Sequence, residues 1–269
     1  MLKLWPFLIS DPEYIPHYLH PATQAALRCI MEAPPSEFDR PGYIYVFHLQ
    51  GMFNLALPSF VVDVWAARND EGQLDDETVF LKVGRAVDVP KRIDQWDKQC
   101  PSKMLTLRGY WPFPTQQSIN GSTCTESLIK GCYMPQHAGP FHHRVERLVQ
   151  IELADLVVHR QYLDPDFTDL NNSSESASFV SFPHLTVGKQ LLHRVKCSDC
   201  TFPLFEAAGS FAHSAIGSRV HREIFPLARI REGKNKNGEW ENVVKPVIRR
   251  WGESDLSKLY LLVTDYCNR

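Results

Sequence analysis

Gly42-Tyr-Ile-Tyr-Val-Phe-His-Leu49 is dense in β-branched and aromatic side chains, which pack well on a pleated surface, and reads as a strand. A second such stretch, Val79 to Val83, sits within Leu81-Lys-Val-Gly84 and runs toward Asp88 and Pro90. An Asp carboxylate accepts backbone N–H groups at a helix start and Pro suits the first turn, so a helix is predicted over Val89 to Gln99. Between these strands, Phe60 to Ala67 is β-like and the acidic, Gly-containing Asn69 to Thr78 reads as a loop. Leu105 to Trp111 is a third motif-region strand, and the Pro-, Gly- and Ser-rich Pro112 to Pro140 reads as a surface insertion.

Further out, Val145, Leu148, Val149, Glu152, Leu153 and Leu156 recur at near-helical spacing, which predicts a long helix over Phe141 to Val158 with its apolar stripe on the sheet. Asn171 to Ser178 is a polar linker, and Val243 to Trp251 is a terminal helix candidate. Strands, then helix, strand and helix, with no internal repeat, give an α+β domain with a small antiparallel or mixed sheet flanked by helices. Residues 1–40 form an N-terminal segment whose role the sequence does not assign, 41–251 the domain with insertions at about 50–78 and 112–140, and 252–269 a tail.

The whole chain sets wider bounds. Its 269 residues, 43% hydrophobic and 22% charged, describe an ordinary globular protein. Met1 to Ser10 is apolar but is broken by Pro6 and runs into Asp11 and Glu13, unlike a signal peptide, and no stretch is long enough to span a bilayer. Seven scattered cysteines, an odd count, argue against a disulfide framework, so an intracellular location, nucleus or cytoplasm, is expected. The net charge of -2 is not that of a chain coated in positive charge, but two stretches are locally basic. Lys82 to Lys103 carries six basic against three acidic residues, and Ala228 to Arg250 seven against three. Such runs are compatible with a nucleic-acid surface or with solvated faces.

Hydrolysis of a phosphodiester needs a poised water, a cation for the phosphate and, commonly, a metal-bound carboxylate. Gly42-Tyr-Ile-Tyr45, then Lys82-Val-Gly84, then Asp88 and Arg92, then Glu146 on a helix, supply these parts in the order of the GIY-YIG nuclease superfamily. The chain resembles most the fungal branch of its phage-derived DNA-binding domains, from about Pro41 to Trp251. The resemblance implies a DNA-binding, metal-dependent endonuclease. Tyr45 would sit beside the scissile phosphate and help activate water, Arg92 would hold phosphate oxygens, and Glu146 would hold one divalent ion, Mg2+ or Mn2+. Gly42 and Gly84 would be the motif glycines and Asp88 the cap. Lys82, where many relatives carry tyrosine, would meet phosphate as a point charge or be solvated. His142, His143 and Arg144 flank Glu146, and Glu152 is a rival carboxylate.

Three departures qualify the resemblance. About thirty residues separate the motif strands, far more than a tight hairpin needs. Trp96 stands where active relatives often have histidine, and an indole is no general base. The family's late asparagine has no clear counterpart, since Asn171 and Asn172 fall in the linker. Cleavage is therefore less expected than binding, and a DNA-binding module that has lost efficient cleavage stands beside the nuclease. A protein-interaction domain is a third reading. Near the C-terminus, Cys197-Ser-Asp-Cys200 with His213 and His221 could complete a structural zinc site, or the thiols could be reduced and buried. His221-Arg-Glu-Ile-Phe225 resembles the branch's closing motif, with Glu223 placed to anchor a neighbouring basic residue.

Overall fold

The computed structural model describes residues 15–34, 36–50, 52–56, 61–65, 78–113, 138–165, 167, 194–201 and 218–253, with 52–56, 61–65, 194–201 and 218–220 described by their backbone alone. The class is α+β. The elements in chain order are α1 (Pro21–Glu32), β1 (Tyr43–Gln50), β2 (Met52–Ala56), β3 (Val61–Trp65), β4 (Thr78–Ala86), α2 (Val89–Gln99), β5 (Met104–Trp111), α3 (His142–His159), β6 (Arg194–Thr201), β7 (Ser218–His221), β8 (Ile224–Ala228) and α4 (Lys245–Glu253). A π-helical turn, Glu239–Val244, leads into α4, so the terminal helix begins earlier than the apolar spacing predicts.

The main sheet is antiparallel in the order β5-β1-β4-β8, with Tyr45 opposite Gly84 and Phe47 opposite Lys82 in the β1–β4 pair. Side chains alternate across a strand, and here both faces are covered. Ile44, Val46, Leu81, Val83, Phe225 and Leu227 join Val145, Leu148, Val149 and Leu153 of α3 in one buried cluster. Tyr45, Phe47, Phe80 and Ile224 join Val89, Ile93 and Trp96 of α2 in another. Burial on both faces explains why β1 lacks the apolar–polar alternation of a half-exposed strand.

Two parts of the sequence reading gain detail. The segment 50–78, expected as an insertion, contributes β2 and β3, the latter within the β-like run at Phe60 to Ala67, to a second sheet of order β3-β2-β6-β7, in which β2 pairs with its neighbour β3 and with the distant β6. The described part of the N-terminal segment, left without an assigned role, packs on the domain. Leu27, Ile30 and Met31 of α1 enter the α3 cluster with Ile15, Tyr18 and Leu19. Pro112 to Pro140 lies largely outside the described residues, as does the linker with Asn171 and Asn172.

Helix ends follow local chemistry. Asp88 caps α2 by accepting from the Lys91 N–H at 3.0 Å. Phe141, at the start of α3, offers no side-chain cap, and Asp39 supplies one from elsewhere, accepting from the Arg144 N–H at 3.0 Å. A carboxylate there also opposes the positive end of the helix dipole. Part of the basic run Ala228 to Arg250 is paired: Arg229 with the buried Glu239 and Arg250 with the buried Glu152, while Lys245 meets Glu241 and Arg249 meets Glu253 at the surface. Among the described residues no helix is long and apolar enough to cross a membrane.

Glu152 is the polar centre of the core. Fully buried, it accepts from Tyr18 Oη at 2.6 Å and Trp251 Nε1 at 2.6 Å and pairs with Arg250. It thus ties the N-terminal segment and α4 to α3 and points away from Glu146 and its surroundings. Removing one partner of a buried ion pair leaves the other unpaired, so Glu152→Ala is expected to cost about 3–5 kcal/mol in chemical denaturation. A loss below about 1 kcal/mol, the scale of an exposed pair, would contradict this role.

Candidate active site

The end of β4 gathers the residues singled out in the two motif stretches. Arg92, one turn into α2, donates from Nε to Tyr45 Oη at 3.3 Å and from Nη1 to Gln95 Oε1 at 2.9 Å. The Tyr45 ring lies across Gly84, where a Cβ would stand 2.5 Å from the phenol oxygen, so glycine is required for the tyrosine to lie there. Because Arg92 donates to the phenol oxygen, the phenol proton is directed elsewhere. Burial pushes the Tyr45 hydroxyl up to about 12, against the favourable pull of Arg92, so it is a neutral phenol at physiological pH.

Gly42 plays a similar part at the other strand, where a Cβ would stand 2.8 Å from the His142 ring. His142 is buried and bonds through Nδ1 to the Arg40 carbonyl oxygen. A carbonyl only accepts, so Nδ1 carries the proton and Nε2 accepts from Arg85 Nη1 at 3.3 Å. Arg85 Nε in turn meets Glu146 Oε2 at 2.8 Å. Burial raises the Glu146 carboxyl, and the charges of Arg85 and Lys82 counter that. His143 and Arg144, the other flanking residues, turn toward Asp39 and the N-terminal segment.

Lys82 is neither at the surface nor solvated, in contrast to both sequence expectations. On the α2 face of the sheet it is 1% exposed, its ammonium 3.1 Å from Glu223 Oε1 and 3.9 Å from the centre of the Trp96 ring. Lys82 lies on the same strand face as Phe80, the side covered by Trp96, and this is why a strand-end lysine ends up inside. Burial lowers its pKa to about 8, with Glu223 pulling the other way. Burial alone would raise the Glu223 carboxyl; the His221 hydrogen bond and Lys82 more than reverse that and hold it well below the usual carboxylate range. Glu223 therefore anchors a basic residue as its motif implied, and also accepts from His221 Nδ1 at 3.3 Å. Trp96 is a buried core aromatic.

The structure thus brings together Tyr45, Gly84, Arg92, Glu146, Lys82 and Glu223, with Gly42 and Asp88 in supporting positions. Arg85 and the orientation of His142 are additions that motif matching passed over, although Arg85 directly follows the motif glycine. The zinc group stays apart from this. Only the backbone of β6, which carries Cys197 and Cys200, is described, His213 lies outside the described residues, and His221 is engaged with Glu223. Between the pairs Cys197–Arg219 and Thr201–Ser218 the register of β6 against β7 shifts. Among the described residues no three His, Cys, Asp or Glu side chains form a ligand group for a metal ion.

A family model described as meiotically up-regulated gene 113 matches residues 78–165, less than half of the chain. The matched span runs from β4 through α3 and holds Lys82, Gly84, Arg85, Arg92 and Glu146, while Tyr45 and Glu223 lie outside it. No curated protein and no solved structure matches the chain.

Two outcomes test this geometry. Gly84→Ala drives a methyl into the Tyr45 phenol and is expected to cost about 1–3 kcal/mol, and less than half of that in a Tyr45→Ala background, measured as a double-mutant cycle by denaturation. Equal costs in both backgrounds would place the strain elsewhere. For Lys82, the folded value of about 8 lies below the ordinary 10.5, so the unfolded chain holds more protons between them. Its contribution to stability is therefore full above the unfolded value and lost as pH falls through about 8. Wild type should gain stability relative to Lys82→Met as pH rises through this window, and parallel pH profiles would refute the shift.

Proposed function

We propose that the chain is a GIY-YIG-type endonuclease that hydrolyses DNA phosphodiester bonds with a divalent metal, Mg2+ or Mn2+. The observation that carries this reading is the Arg92–Tyr45 contact seated over Gly84, within electrostatic reach of the Glu146 carboxylate. The resemblance of the motif stretches supports it. So does the chemistry: a neutral phenol whose proton is free to orient a water or a phosphate oxygen, beside a guanidinium that can offset negative charge growing on the phosphate.

The donor set fits a hard cation. Glu146 is partly exposed and a carboxylate oxygen suits Mg2+ or Mn2+, which keep several waters and share substrate phosphates rather than requiring a full protein cage. Bound there, the ion would supply charge stabilisation at the phosphate and a more acidic water. Arg92 holds phosphate oxygens and Tyr45 orients the attacking water through its hydroxyl. Lys82, sealed beneath Trp96, acts on this site only by its field and through Glu223.

One feature favours a second reading, a DNA-binding module with impaired cleavage: the α2 position one turn after Arg92 carries Trp96, packed in the core, and supplies no proton acceptor. The test is cleavage of branched, nicked and linear DNA by the purified chain with Mg2+ or Mn2+, with binding followed in parallel. Arg92→Ala and Glu146→Ala are each expected to lower cleavage by about a hundredfold or more while keeping most of the binding. Salt-dependent binding without cutting under any metal selects the second reading, and no binding at low salt removes nucleic acid from the account altogether.

A further inference from the structure

We propose that Arg85 is a phosphate-sensing positioning residue, which clasps the Glu146 carboxylate while nucleic acid is absent and frees it for the metal when a substrate phosphate draws its guanidinium away. This rests on the reading of the site as that of a metal-dependent nuclease.

The clasp is specific. Arg85 Nε donates to Glu146 Oε2 at 2.8 Å, and Arg85 Nη1 donates to His142 Nε2 at 3.3 Å, the acceptor nitrogen fixed by the Nδ1 bond to the Arg40 carbonyl. Two acceptors from the first turns of α3 therefore aim one guanidinium. The guanidinium at Glu146 Oε2 competes with a divalent ion for the same carboxylate charge and opposes that ion's approach. The surrounding charges add to this: Lys82, Arg85 and Arg92 are three cations against two carboxylates, Glu146 and Glu223. A divalent ion arriving alone would enter a cluster that already carries one excess positive charge.

A phosphate reverses the balance. It brings negative charge, and its oxygens match the planar guanidinium with two parallel hydrogen bonds, which the pairing with one carboxylate oxygen and one imidazole nitrogen does not. The exchange requires no unfolding, because the Arg85 side chain is 32% exposed and that of Glu146 17%. Arg85 follows Gly84 at the end of β4, the glycine over which Tyr45 meets Arg92, so a phosphate spanning that strand end would draw the guanidinium off Glu146. Metal and DNA should then bind with positive and reciprocal coupling, and the bare chain should be a poor metal binder.

The experiment is a Mn2+ titration of the full chain, read from the electron paramagnetic resonance signal of the free ion, without and with a DNA duplex. The DNA arms use the Tyr45→Phe background to keep the duplex intact. Without DNA, Arg85→Ala is expected to bind Mn2+ about tenfold tighter than the chain with Arg85, and DNA to tighten Mn2+ by a similar factor only when Arg85 is present. Arg92→Ala removes one charge from the same cluster without touching Glu146, and should tighten Mn2+ by less than about threefold. Arg85→Gln, closer in shape, repeats the measurement should the alanine variant fold poorly. Glu146→Gln separates the possible failures. If it abolishes Mn2+ binding while the Arg85 variants bind no tighter than wild type, the clasp is wrong and the nuclease reading stands. If it leaves Mn2+ binding unchanged, the metal site itself is wrong and the clasp falls with it.

Discussion

The antiparallel pairing of β1 with β4, covered on one face by α3 and on the other by α2, is the constraint on which the rest of the molecule depends. Both strands contribute to both clusters, so their apolar residues are committed alternately to partners above and below the sheet. The register follows from that commitment, since a slip of one residue would move Ile44 and Val46 to the α2 side and Tyr45 and Phe47 to the α3 side. Only with this register does the Tyr45 ring fall on Gly84, the one residue type that leaves room for it.

The polar residues of the site inherit their character from the same sandwich. Lys82 and Arg85 are three residues apart on β4, so they leave opposite faces of the strand. Lys82 is pressed under Trp96 and needs Glu223 to be tolerated there, whereas Arg85 emerges on the α3 side at the rim and meets Glu146. Burial then divides their chemistry: one cation has its proton weakened and is sealed from solvent, the other keeps a reachable guanidinium. Glu152 and Glu146, six residues apart on α3, divide in the same way. The first is locked by Tyr18, Arg250 and Trp251 deep in the core, and the second sits near the helix start beside the strand end.

Much of the local framework was legible in the chain. The Asp88 cap and Pro90 marked α2 to the residue, and the apolar spacing of Val145 to Leu156 marked α3 within one residue at each end. Those signals are short-range, carried by backbone hydrogen bonds and by a periodicity that any window of sequence displays. Within the segment 50–78, the β-like run at Phe60 to Ala67 was legible and forms β3, whereas the pairing of β2 with the distant β6 leaves no trace in local composition. The N-terminal segment was left unassigned for the same reason: Tyr18 and Leu27 find their contacts on α3, α4 and the sheet.

By itself the sequence determined the motif-region strands, α2 with its Asp88 cap, α3 and most of the last helix, and which residue types were available for chemistry: a strand tyrosine, a helix arginine, a helix glutamate and two well-placed glycines. Tertiary structure alone decided which of them meet. It put Tyr45 against Arg92, turned Lys82 inward onto Glu223, set Arg85 against Glu146, and tied Arg229 and Arg250 of the second basic run to buried carboxylates. The physical reason is that caps and periodicity are properties of neighbours in the chain, whereas burial, charge pairing and proton affinity depend on what the fold brings from afar to the same few ångströms.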